Sequence, residues 1–183
     1  MSNKPNKTQD LIDLKFLEER KVFLWGQVDD KSAKHVMERL LFLDAEGKKD
    51  IQFFINSPGG YVTAGFSIYD TIQSLNSDVS TICTGLAASM GSILLSAGTK
   101  GKRFIQPHAK VMIHQPSGGA RGQASNIEIQ AQEILKTKEL SAEILAENCG
   151  QSVEKVMKDF NRDYWMDAQE SLEYGIVDNI YKK

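Results

Sequence analysis

A chain of 183 residues with 41% hydrophobic and 25% charged residues carries enough apolar material for one folded domain, which at this size buries roughly 70% of the surface its unfolded chain exposes. Its formal net charge of -2 supplies no general attraction for nucleic acid, and no stretch combines clustered Lys/Arg with interleaved aromatics. No apolar run reaches the roughly 18–20 residues that span a bilayer, and the opening "MSNKPNKTQD" lacks the apolar centre of a secretory signal, so no nucleic acid, no membrane and a cytoplasmic location are expected.

The first ten residues are polar and are expected to be mobile. "KVFLWGQV" (Lys21 to Val28) reads as a strand and "SAKHVMERLLFLDAEG" (Ser32 to Gly47) as an amphipathic helix ended by glycine. A second strand, "DIQFFINS" (Asp50 to Ser57), is broken by "PGG" and followed by a helix over Thr63 to Leu75. Strand "VSTICTG" (Val79 to Gly85) leads to Ser89, where another helix begins. The alternation of strand and helix argues for an α/β fold of parallel strands with crossover helices.

"KRFIQPHAKVMIHQP" (Lys102 to Pro116) reads as two short strands around a Pro-containing turn, and "SGGARGQAS" (Ser117 to Ser125) as a polar glycine-rich ribbon. A long helix is predicted from Asn126 to about Asn148, roughly 35 Å at 1.5 Å per residue. Its apolar positions, among them Ile127, Ile129, Leu135 and Leu140, call for a covering surface, and a partner subunit is the simplest. Two short helices and a final strand complete the chain. Cys83 and Cys149 lie far apart with no Cys-x-x-Cys spacing; both are read as buried apolar residues, and no metal site is expected.

Ser89 lies between small residues in "GLAASMGSILLSAG", a setting that suits close packing as well as nucleophilic chemistry. A catalytic serine needs a base, an orienter for the base and donors for an oxyanion. Of three histidines, His35 falls in a helix and His108 in a turn, while His114 ends a buried run. Asp163 is available to orient His114, but Asp159 and Asp167 are close by and spacing does not choose among them. Gly60 in "SPGG" and the first N–H of the helix after Ser89, that of Met90, are candidate oxyanion donors. Ala87 stands where a Gly-x-Ser-x-Gly elbow has its first glycine, which disfavours an ordinary α/β-hydrolase.

Four segments, "INSPGGYVTAGFSIYDT", "STICTGLAASMGSILLSAGTKGKRF", "VMIHQPSGGARGQASNIEIQAQEILK" and "NRDYWMDAQESLEYGIVDNI", closely resemble the proteolytic subunits of Clp proteases, the ClpP family, from about Leu24 to Ile180. The resemblance implies a crotonase-like β-β-α superhelix in one domain. In it 1–18 is an N-terminal axial segment, 19–116 and 149–183 a head, and 117–148 a protruding handle of strand and long helix. It implies Ser89 as nucleophile, His114 as base and Asp163 as third member, with Gly60 and Met90 as oxyanion donors. Gly118, Gly119, Ala120, Arg121, Gly122 and Gln123 take the place of the strand that lies beside an extended substrate, and Arg162 that of a residue pairing across a ring interface. Two stacked heptameric rings of this chain, fed with unfolded protein by a Clp/Hsp100 ATPase such as ClpX, ClpA or ClpC, are implied as well. ATP is then used by the partner, and this chain needs no cofactor.

Two departures from the family pattern stand out. The cleft that receives the ATPase usually carries aromatics; here Gln52 and Ser74 occupy matching positions and only Phe54 remains. Asn126 replaces the usual aspartate at the start of the handle helix, where either residue can cap. These changes raise the alternative of a specialised subunit that assembles with a second paralogue in a mixed complex. A crotonase-type acyl-CoA enzyme and a Ser-Lys dyad using Lys100 or Lys102 are the remaining rivals.

Overall fold

The computed structural model describes residues 7–119 and 121–181. Expectations for the opening residues 1–6 and for Ala120 lie outside the described residues. From Lys7 onward the polar beginning is helical: α1 (Lys7–Glu18) sets Phe16 against Phe23, with ring centroids 4.8 Å apart. The strand β1 (Lys21–Trp25) is shorter than its apolar run, stopping at Gly26, and Val28 makes only an isolated bridge to Gly60.

Helix α2 (Asp30–Glu46) starts at a capping box in which Asp29 accepts from Ser32 N–H, and its buried stripe is Ala33, Val36, Leu40 and Leu43. Strand β2 (Ile51–Ser57), helix α3 (Val62–Ser74) and strand β3 (Val79–Ala88) follow, then α4 (Met90–Ser96). Every residue of α4 is buried, as a short helix apolar or small all round must be. Strands β4 (Arg103–Ile105) and β5 (Lys110–Ile113) flank the expected turn. The long helix α5 (Ala124–Cys149) comes next, then α6 (Val153–Asp159), strand β6 (Tyr164–Met166), α7 (Ala168–Tyr174) and β7 (Asn179–Ile180).

The strands form one sheet in the order β1-β2-β3-β4-β7, and these pairs are parallel. Strand β3 serves two neighbours in turn. Its first half, Thr81 to Cys83, pairs with β4, and its second half, Leu86 to Ala88, pairs with β5. The switch is made by a bulge: opposite Ile55 and Ser57 the partners are Cys83 and Ala87, and Gly85 at φ 90° supplies the turn of the backbone. One sheet face, with Val22, Leu24, Phe53, Ile55 and Cys83, is buried. The other is partly covered by α1 and carries a stacked Phe23–Phe54 pair at 5.1 Å.

Two differences concern the projecting region. No strand forms among the described residues of 117–123, which present no ladder in a single chain. The N-cap of α5 is Gln123, with no side-chain cap bond, so Asn126 sits inside the first turn and not at the cap. Burial on α5 begins only at Ser141; before it Ile127, Ile129, Leu135 and Leu140 are 41–59% exposed.

Both cysteines are buried and free, and burial pushes each thiol up to about 12. They are protonated and inert at neutral pH. Arg103, 1% exposed, is neutralised by Asp178, whose Oδ2 accepts from Arg103 Nε at 2.8 Å, and it also donates to Asn148 O at 2.7 Å. Burial opposes the charge on Asp178, but the Arg103 guanidinium and the backbone N–H groups of Arg103 and Gly101 hold its carboxyl below the usual range. The pair joins β4, the end of α5 and the approach to β7.

Arg20 does similar work at the opposite edge. Its guanidinium donates to the carbonyls of Leu43, Gly47 and Lys49 at 2.8–3.0 Å, closing the end of α2 onto the loop that enters β2. Arg20→Ala is expected to lower stability by about 2–3 kcal/mol, since three carbonyls lose a charged donor at once. A urea titration followed by far-UV circular dichroism checks this, and an unchanged midpoint would contradict it.

Candidate active site

Two strand pairings assemble the site. Parallel pairing of β3 with β5 sets Ala88 opposite Met112, and antiparallel pairing of β5 with β6 sets Ile113 opposite Tyr164. The residues one step beyond these pairs are Ser89, His114 and Asp163, so two short ladders bring together side chains up to 74 positions apart in the chain. His114 Nε2 lies 2.9 Å from Ser89 Oγ, and His114 Nδ1 lies 3.0 Å from Asp163 Oδ1. An ionised carboxylate only accepts, so Nδ1 carries the proton and Nε2 is left to accept from the serine hydroxyl. That tautomer suits a general base for Ser89.

Ser89 is held in an unusual backbone conformation, φ 55° and ψ -123°, at the junction of β3 and α4. Such strain costs on the order of 1–3 kcal/mol for a residue with a Cβ. It is offset locally: Ser89 N–H donates to Met112 O at 2.9 Å, and Ser89 O accepts from Ser92 N–H at 2.9 Å and from Ser92 Oγ at 2.6 Å. The small neighbours also have a packing reason. A Cβ on Gly91 would stand 3.0 Å from Ser57 O. Small size and the placement of the hydroxyl are therefore one arrangement.

The "SPGG" turn packs directly on this junction. A Cβ on Gly59 would lie 2.6 Å from Ser89 Cβ and 2.9 Å from Met90 N, and one on Gly60 would lie 2.1 Å from Val28 O. Gly60 is clasped by Val28, whose N–H donates to Gly59 O while its carbonyl accepts from Tyr61 N–H, both at 2.8 Å. Among the described residues the N–H groups of Gly60 and Met90 donate to no protein acceptor, which leaves both free for an oxyanion beside Ser89. Gly59 was not singled out by spacing. Its signal was the doubled glycine, the first of which packs against the serine.

The other candidates are engaged elsewhere. His35 is paired with Arg39 on α2 at 2.8 Å, and His108 is exposed in the β4–β5 turn. Asp159 binds Lys155, and Asp167 caps α7 through Glu170 N–H. Lys102 sits between Asp50 and Asp78 at 2.6 and 2.8 Å, while Lys100 lies 3.9 Å from Asp178, so neither lysine reaches Ser89 as a dyad base. Gly118, Gly119, Arg121, Gly122 and Gln123 are exposed in the ribbon before α5, and Arg162 is exposed beside Asp163. Gln52 and Phe54 share one face of β2, the first exposed and the second stacked on Phe23. Ser74 is exposed in the last turn of α3, where its hydroxyl donates to Thr71 O. Among the described residues no group of three or more His, Cys, Asp or Glu side chains is placed to hold a metal ion, and no helix is long and apolar enough to cross a membrane.

Gly59→Ala is expected to slow the reaction of Ser89 with a fluorophosphonate by about 10²-fold or more, because the added methyl displaces Ser89 and the Met90 N–H together. Intact-mass kinetics of labelling measure this; a variant that labels at the parent rate would show that the turn tolerates the methyl.

The sequence model of the Clp proteases matches residues 3–183, a span that takes in both strand pairings, the serine junction and α5. With a mixed α/β sheet of the crotonase-like kind and a match over nearly its whole length, this chain belongs to the Clp protease family, a family of peptidases.

Proposed function

We propose that this chain is a serine endopeptidase subunit of a self-compartmentalised protease, cutting unfolded polypeptide by acyl transfer. The observation that carries the reading is the unbroken hydrogen-bonded chain from Ser89 Oγ through His114 to Asp163. The Ser89 hydroxyl attacks a peptide carbonyl while His114 Nε2 takes its proton, and His114 then delivers that proton to the leaving amine. Asp163 holds the imidazole tautomer and balances the imidazolium. The N–H groups of Gly60 and Met90 stabilise the tetrahedral oxyanion, each worth roughly 3–4 kcal/mol in such sites. Water, activated by His114, releases the acyl group from Ser89. No step needs a metal or cofactor from this chain.

The stretch Gly118 to Gln123, whose described residues form no strand in the lone chain, is the edge on which an extended substrate adds as a strand. The exposed apolar residues of α5 are covered by another copy, so that α5 serves as the handle between two stacked heptameric rings. Arg162 pairs across that interface. An ATPase ring of the Clp/Hsp100 type supplies unfolded chains and spends the ATP, in the cytoplasm. A fluorophosphonate should label one site per chain, and Ser89→Ala should abolish labelling. Intact mass measures this, and labelling that survives in Ser89→Ala would move the nucleophile elsewhere.

One observation favours a narrower version. Gln52 and Ser74 are exposed and polar where an apolar anchor would dock, so this subunit depends on a second paralogue whose ring binds the ATPase. Gln52→Tyr combined with Ser74→Phe is expected to tighten ATPase binding at least tenfold, from about 1–3 kcal/mol of recovered apolar burial per side chain. Biolayer interferometry with a ClpX-type ring measures it; tight binding by the unaltered protein alone would remove the need for a paralogue.

A further inference from the structure

The carboxylate of Asp163 has little to hold it. Its side chain is 60% exposed, and among the described residues its one hydrogen bond is the one to His114. An exposed ion-pair partner on a free loop gains at most about 1 kcal/mol from its mate and loses rotamer freedom. The placement of Asp163 therefore has to come from its backbone. That backbone, Phe160 to Tyr164, is pinned at two ends. At Tyr164 the pin is the β5–β6 ladder. At Phe160 and Asn161 it is Gln115, next to His114; it adds to the bond from Phe160 N–H to Val156 O that ends α6.

Gln115 binds the segment twice. Its N–H donates to Phe160 O at 2.6 Å, and its side-chain Nε2 donates to Asn161 O at 2.9 Å, with Asn161 Oδ1 at 3.4 Å. Phe160 is itself fully buried, so the bonded carbonyl belongs to a residue anchored in the core. The following Pro116 biases Gln115 toward extended backbone, which keeps its N–H and side chain in line with β5. Only Arg162 and Asp163 lie between the two pins. The residue next to the base thus sets the span that carries the base's orienter.

We infer that Gln115 is a positioning residue: its carboxamide holds the 160–163 segment so that Asp163 meets His114 Nδ1, and Asp163 loses that register without it. The inference deepens the peptidase reading of Ser89, His114 and Asp163 and rests on it for its catalytic consequence. The backbone bond survives substitution, so removal of the carboxamide tests the side chain alone. Among the described residues the side chains hydrogen-bonded to His114 are the Ser89 hydroxyl and Asp163, so a loosened Asp163 no longer fixes the proton on Nδ1 and the neutral imidazole divides between its two tautomers.

The test compares the assembled protein with Gln115→Ala, Gln115→Met, Asp163→Asn and the Gln115→Met/Asp163→Asn double variant; Gln115→Met keeps bulk at the site where Gln115→Ala fails to fold. Two quantities are read: the share of the Nδ1–H tautomer of His114, from heteronuclear NMR of the labelled histidine ring, and the rate of fluorophosphonate inactivation. The expected result is a smaller Nδ1–H share and a ten- to hundredfold slower inactivation in the Gln115 variants, with no further change when Asp163→Asn is already present. A His114 tautomer balance that is unmoved, or that moves equally in the Asp163→Asn background, overturns the inference. A parent protein whose Ser89 never reacts, but whose His114 tautomer balance shifts on loss of Gln115 as stated, retires the peptidase reading and supports the brace.

Discussion

The pairing of β5 with β3 on one side and β6 on the other is the constraint on which the rest of the site depends. β3 delivers Ser89, β5 delivers His114 and β6 is preceded by Asp163, so three residues far apart in the chain become neighbours only if both registers are correct. A strand slipped by one residue turns every side chain to the opposite face. Either slip would therefore remove the base from its serine or the orienter from its base. The bulge at Gly85 belongs to the same constraint, since without it β3 would continue along β4 and never reach β5.

Close packing and the setting of the Ser89 hydroxyl come from one junction. The turn from β3 into α4 is tight enough to force a positive φ on a residue with a side chain, and the cost is borne by hydrogen bonds to Met112 and Ser92. Gly59 and Gly91 are small because other backbone lies against them. The same closeness packs the "SPGG" turn against Ser89 and Met90 N, the packing that the proposed oxyanion donors Gly60 and Met90 require.

Much of this was legible in the sequence, but unevenly. The parallel half, with its buried alternations in "KVFLW" and "DIQFFINS", declared itself because each strand is long enough to show a pattern. The three-residue β6 showed none, and its residues Tyr164 and Trp165 are exposed, so no periodicity marked the strand that places Asp163. For the same reason spacing left Asp159, Asp163 and Asp167 equal: what separates them is a salt bridge, a strand register and a helix cap, all set by contacts outside the segment. The helix α1 was missed because polar residues dominate its start, although Leu14 and Leu17 stand at helical spacing and Phe16 finds a partner only across the fold.

The exposure of the site ties chemistry to assembly. In the single chain the His114 side chain is 25% exposed and that of Asp163 60%, so water screens the interaction that should hold the imidazolium. The same chain leaves Ile129 and Leu135 nearly three-fifths exposed on α5 and Arg162 in solvent next to Asp163. If another copy covers α5 as proposed, it would bury apolar surface worth about 25 cal/mol per Å², and a neighbour that also closed over Arg162 would lower the local dielectric around Asp163. Coulombic coupling strengthens as water leaves. In the proposed assembly, burial of α5 and tightening of the Asp163–His114 pair would reinforce each other, and a subunit outside that assembly would keep the geometry of the site without its full electrostatic effect.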